Sequence, residues 1–166
     1  MRKFIIRYGV LGASVSIALG LLNWFFIAPN YGPKLSESMG YLTIVISLLT
    51  IPLGIKYFRD KLNGGSVSFN EGFKIGIGIT LIASVIMGLY GVLFFAIEGN
   101  DFIAWQQEWF TPEEIKQNQL RMATMPEYMQ TPLFQGLVMF VMVFLIGAII
   151  DLISALTLKR ASGRIT

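Results

Sequence analysis

Histidine and cysteine are both missing from this chain of 166 residues. Without imidazole or thiolate, there can be no zinc site of the Cys/His type, no haem held by histidine, no thiol chemistry and no histidine general base. The missing cysteine leaves the redox compartment open, since there is nothing to pair. Charge is scarce as well: 14% of the residues are Asp, Glu, Lys or Arg, against about a quarter in a soluble domain. The strict alternation of polar and apolar residues that a β-barrel wall requires is also absent. Apolar residues take the space, at 54% of the chain, and the mean hydropathy is +0.64.

Those apolar residues fall into four runs, at about 8–28, 39–58, 73–97 and 133–158. Each reaches the roughly 20 residues that a helix needs to cross the hydrocarbon core. Backbone groups in hydrocarbon must be bonded within their own segment, so the runs should be helices. The expected fold is an all-α integral membrane protein. It forms a single transmembrane domain over 1–166 with four transmembrane helices, a hairpin at 59–72, and an outer loop at 98–132 that carries short helices. Arg2, Lys3 and Arg7 resemble the basic start of a signal peptide. The run that follows exceeds the usual apolar stretch of about 7–15 residues, and Trp24, Phe25 and Phe26 stand where small residues precede cleavage. It is read as a retained helix.

An isoelectric point near 9.3 would suggest nucleic acid if the basic residues shared a soluble surface. They sit instead at the ends of the apolar runs, so no nucleic-acid partner is expected. Arg2, Lys3, Arg7, Lys56, Arg59, Lys61, Lys74, Lys159, Arg160 and Arg164 are ten of the thirteen basic residues, and four spans place them all on one side. Lys34, Lys116 and Arg121 fall on the other, together with Glu37, Glu98, Asp101, Glu108, Glu113, Glu114 and Glu127. The positive-inside rule then puts the N and C termini and the 59–72 hairpin in the cytoplasm.

The hairpin has its own local logic. Lys56 and Asp60 are spaced i, i+4, and Arg59 and Lys61 suit the negative end of the second helix. Asn63-Gly64-Gly65 tolerates the left-handed turn that stops a helix. Ser68-Phe69-Asn70-Glu71 matches a capping box that starts the third. A tight turn explains these residues; the clustered cations also suit anionic lipid or a partner. The stretch GIKYFRDKLNGGSVSFNEGFKIG, from Gly54 to Gly76, resembles the signature hairpin of an uncharacterised family of small bacterial inner-membrane proteins with four predicted helices. TPEEIKQNQLRMATMPEYM is similar to that family's acidic loop helix, and LISALTLKR to its C-terminal ending. The resemblance implies topology and a location in the bacterial inner membrane, and no chemistry.

In the outer loop, Phe102, Trp105 and Trp109 share one helical face. Residues 101–110 are expected either to lie flat on the outer surface as interfacial aromatics or to form a lid on the span ends. Thr111-Pro112-Glu113-Glu114 should start a helix that runs to about Thr124, and Thr131-Pro132 should start the last span. Asp151 lies inside that span. An ionisable group there usually faces the bundle and a partner, so Asp151 is expected to form an intramembrane ion pair with Lys56, Arg59 or Lys74, or else to couple ions. Pro52 should kink the second helix and free carbonyls near Ser47 and Leu48. Gly72 and Gly76 form a GxxxG face suited to packing within the chain, or against a partner or second copy. The expected function is that of a multi-pass inner-membrane protein, not an enzyme, serving as an accessory or assembly component. A small oligomeric transporter or channel is the alternative. No catalytic residue, cofactor or metal is expected, and the lipid bilayer is the expected surrounding.

Overall fold

The computed structural model describes residues 2–160, so Arg164, counted above among the cytoplasmic cations, lies outside the described residues. Three continuous helical stretches are long and apolar enough to cross a membrane: Arg2–Leu62, Phe69–Trp109 and Pro132–Leu158. The first has 61 residues and would reach about 90 Å if straight. It is folded back on itself instead. Helix α1 (Arg2–Leu22) passes through a widened turn, Asn23–Ile27, into α2 (Ala28–Leu48), and inside α2 the backbone breaks at Gly32 with φ 75° and ψ −178°. That conformation is essentially open to glycine alone. Pro33 reinforces the break, because its ring pushes the preceding residue out of the helical region.

Asn23 closes the reversal by donating from Nδ2 to the Ser36 carbonyl and hydroxyl, both at 3.0 Å. The two arms then run antiparallel. Phe4 stacks on Tyr57 with ring centroids 5.7 Å apart, and Gly12 lies beneath Ser47 and Thr50. The first two expected spans are thus one helix doubled over. The second arm is interrupted once, at Leu49, before α3 (Thr50–Tyr57). Pro52 has no N–H to offer the preceding turn, and the Ser47 carbonyl accepts from the Thr50 hydroxyl at 2.9 Å.

A second widened turn, Phe58–Leu62, leads into the hairpin, where Gly64 and Gly65 take φ of 61° and 83°. Gly65 N–H donates to the Arg59 carbonyl at 2.8 Å, the helix-ending bond that the glycines make available. Asp60 pairs with the adjacent Arg59 at 2.6 Å, not with Lys56 a turn away, and that bond holds its carboxyl below the ordinary range. Helix α4 (Phe69–Trp109) begins at a complete capping box: Ser68 Oγ accepts from Glu71 N–H at 3.3 Å, and Glu71 Oε2 accepts from Ser68 N–H at 2.9 Å. Helix α5 (Pro112–Thr124) begins the same way at Thr111 and Glu114, and α6 (Pro132–Leu158) starts at Thr131. These starts agree with the sequence signals.

One difference lies in the outer segment. Residues 101–110 do not form a separate flat helix; α4 runs unbroken for 41 residues, about 60 Å, and includes them up to Trp109. Another is a clamp with no sequence signal. Val67 and Arg160 exchange both backbone hydrogen bonds, at 3.0 and 2.8 Å, and Arg59 Nη1 donates to the Leu158 carbonyl at 3.3 Å. The end of α6 is thereby tied to the hairpin. Helix α4 packs against α1, α3 and α6 around a core of Leu48, Ile51, Ile55, Ile75, Ile79 and Met87. The opposite faces carry exposed Leu89, Ile97, Leu133 and Ile149, a surface matched to lipid tails.

The Gly32 break makes a direct test of the doubling. A methyl at Gly32 would meet the Trp109 indole at 2.7 Å and would also be strained by its φ. Gly32→Ala is expected to cost about 1–3 kcal/mol and to lower the melting temperature in detergent. Gly40→Ala, where a methyl meets nothing within 4 Å, should change stability by no more than about 0.5 kcal/mol. Adding Trp109→Ala to Gly32→Ala should recover only the steric share.

Candidate functional site

Helices α4 and α6 lie antiparallel in one register, set by small residues. Gly72 faces Ala155, Gly76 faces Asp151, Thr80 faces Gly147, and Gly88 and Gly91 face Gly136. The steps are about one helical turn on both helices, so each gap on one receives a side chain of the other. A methyl at Gly147 would meet Thr80 Cγ2 at 2.5 Å, and one at Gly76 would collide with the Asp151 carboxylate. The GxxxG spacing did mark close packing, and α6 of the same chain occupies it. Gly72 and Gly76 are buried there.

Asp151 faces the bundle and is fully buried, and neither carboxylate oxygen has a hydrogen-bond partner among the described residues. The expected ion pair is not formed there, for reasons of placement. Lys56 follows the fully buried Ile55 and is turned to the surface. Lys74 precedes Gly76 by two residues, about 200° around the helix. Arg59 is engaged by Asp60 and the Leu158 carbonyl. What covers Asp151 is the bare backbone of Gly76, with Ile51 beside it.

Thr80, one turn along α4, is the other seam residue whose buried side-chain oxygen has no partner among the described residues. Ser84 and Ser154 differ: their hydroxyls donate to carbonyls four residues back, Thr80 O at 2.8 Å and Ile150 O at 2.6 Å. Sequence reasoning missed Thr80. The available signal was its place four residues beyond Gly76 in the line of small residues.

The aromatic face lies at the Gly32 end of the bundle. Phe102, Trp105 and Trp109 share one side of α4, as their spacing indicates, and that side packs on the doubled helix. Trp24 is at the centre, with ring centroids 5.6 Å from Trp105, 5.5 Å from Phe94 and 5.8 Å from Phe102. Trp105 Nε1 donates to the Ala28 carbonyl at 3.0 Å, Trp24 Nε1 donates to Glu98 Oε2 at 3.2 Å, and the Trp109 ring covers Gly32. The rings thus pack α4 onto the doubled helix. That packing explains why Glu98, Gly99 and Asn100 do not break α4: the turns on both sides are anchored by the ring cluster. Trp24, which the sequence marked only as unsuited to a cleavage site, is the hub.

The structure thus defines an all-helical protein, among the described residues, whose long apolar helices are those of a membrane protein. The chain belongs to the family described as "Protein of unknown function (DUF4199)", whose model matches residues 7–160. No curated protein and no solved structure matches it.

The Gly76–Asp151 contact supplies a paired test. Gly76→Ala should overpack the seam and cost about 1–3 kcal/mol, read as a lower melting temperature in detergent. Asp151→Ala in the same chain should restore most of the loss, a coupling that a double-mutant cycle measures. Asp151→Asn alone should leave the melting temperature unchanged or raise it, since no cation loses a partner.

Proposed function

We propose that the chain is a multi-pass protein of the bacterial inner membrane, crossing the bilayer four times at about 8–28, 39–58, 73–97 and 133–158. Both termini and the 59–72 hairpin lie in the cytoplasm, and the protein serves as a non-enzymatic accessory or assembly component. The observation that carries this reading is the doubling of Arg2–Leu62 at Gly32, which seats Asn23 on Ser36 and makes two antiparallel arms from one helix. Two arms with α4 and α6 give an even number of crossings, so both chain ends return to one side. The ten-to-three division of basic residues then selects that side as the cytoplasm.

An accessory role fits the proportions. Most of the chain is apolar rod, and the largest segment between crossings carries α5, an exposed polar helix without a buried residue. Such a helix is a surface for contact. One observation favours a second reading, a small oligomeric transporter or channel: Asp151 is buried in the bundle with its carboxylate unpartnered among the described residues. Intramembrane carboxylates of that kind mark ion and proton paths.

Single-cysteine labelling decides the topology, since the native chain has no cysteine to interfere. Gln117→Cys should react with a membrane-impermeant maleimide in intact cells, and Asn63→Cys only after permeabilisation. The reverse pattern overturns the orientation. Stoichiometric co-purification of a larger membrane protein is expected for the accessory role. Ion flux in liposomes that Asp151→Asn abolishes would replace it with the second reading.

A further inference from the structure

A cavity of about 310 Å³ opens beside the aromatic cluster, between the doubled helix and α4, with Met139 of α6 at one wall. Six aromatic rings line it: Trp24, Tyr41, Tyr90, Phe94, Phe95 and Phe102. The remaining lining includes Asn23, Ser36 and Glu37, and no lysine or arginine.

The polar groups at this cavity have a consistent sign. Asn23 spends its Nδ2 on Ser36, and its buried Oδ1, an acceptor, has no partner among the described residues. Glu37 stands at the exposed rim, with no lysine or arginine within salt-bridge distance among the described residues, Lys34 included. Behind the ring wall a second carboxylate, Glu98, takes the Trp24 indole N–H. The Trp105 N–H is likewise spent, on the Ala28 carbonyl. The donor edges of both indoles are therefore occupied. What the cavity offers is a lining of six aromatic side chains, whose π-systems attract cations, and the Glu37 carboxylate at its rim. Hydroxyls of Ser16, Ser36, Tyr41, Thr43 and Tyr90 complete it and can turn either way.

We propose that this cavity binds a lipophilic organic cation, an ammonium or phosphonium centre with apolar substituents. Aromatic walls recognise such a cation through its charge and fit its substituents by shape. An anion of the same shape would meet Glu37 as repulsion, and a metal ion would find no multidentate ligand set among the described residues. The inference is independent of the orientation in the membrane and of whether the chain acts alone or in a complex.

The probes are tetraphenylphosphonium and tetraphenylborate, which share shape and apolar surface and differ in sign. Each is titrated into the full chain in a non-ionic detergent and followed by calorimetry and tryptophan fluorescence. The phosphonium should bind saturably at one site and the borate should not. Trp24→Leu should weaken phosphonium binding about tenfold, the scale of one desolvated cation–ring contact, and Glu37→Gln about two- to fivefold, the scale of an exposed charge contact; Trp24→Phe, which keeps a ring, should lose less. Glu37 is exposed, so its variant should keep the native melting temperature, and a loss of affinity cannot then be charged to unfolding. Equal binding of the two ions, with Glu37→Gln silent, would make the cavity an apolar slot for an acyl chain and overturn the proposal. Failure of the phosphonium to bind to the folded wild-type chain would overturn it too.

Discussion

Close approach of α4 and α6 is the constraint on which the other contacts depend. In lipid, helices gain little by hiding apolar side chains from their surroundings, so association rests on packing distance. Glycine on alternating sides supplies that distance: Gly72, Gly76, Gly88 and Gly91 on one helix, Gly136 and Gly147 on the other. With α6 seated, the remaining sides of α4 receive α1 and α3. Gly9 then sits under Ile82, and Gly54 under Ile79. The same device is thus repeated at each helix contact. Leu48, Ile51, Ile55, Ile75 and Ile79 fill the core between these contacts, while Leu89, Ile97, Leu133 and Ile149 are turned outward.

Each end of this bundle is fastened by a different chemistry. At the hairpin the fastening is backbone hydrogen bonding, Val67 with Arg160, with the Arg59 side chain reaching the last turn of α6. At the other end it is rings: Trp24, Phe94, Phe102 and Trp105 interlock, and Trp109 closes over Gly32. The contrast follows the residues available. The hairpin is short and polar, with free N–H and carbonyl groups to satisfy. At the far end the contacts are made by side chains, including the Trp105 N–H on the Ala28 carbonyl beside the Gly32 break.

Helix starts were the most legible part of the sequence, because Ser68–Glu71, Thr111–Glu114 and Thr131 act through atoms within three residues. Helix stops at Gly64-Gly65 were legible for the same reason. The Gly32 reversal was readable only as a gap between apolar runs; its φ becomes visible once the arms are packed. The continuation of α4 through Glu98-Gly99-Asn100-Asp101 was not legible. Local composition there favours a break, and tertiary ring contacts override it. Asp151 was rightly singled out as buried, but its surroundings were misjudged. Depth along a helix can be counted from sequence, whereas azimuth relative to a neighbour cannot, and azimuth is what turns Lys56 and Lys74 away. Thr80 was missed because a lone threonine in an apolar run is inconspicuous until Gly147 is seen opposite.

The whole-turn spacing of the α4–α6 seam has a mechanical consequence. A vernier of gaps and knobs set one turn apart on both helices has stops rather than a continuous slide. A shift of one residue would drive Asp151 from the bare backbone of Gly76 onto Ile75 or Ile77, and would swing Thr80 off Gly147; Lys74 and Gly78, two residues away, lie on another side of α4. On the face of α4 that meets α6, only a full-turn step, about 5.4 Å, would find glycine again, with Asp151 over Gly72. Even then Gly136 would leave the pair of glycines it now fits. Sliding is therefore graded in steps, and the hairpin end of the seam has a second notch that the far end lacks.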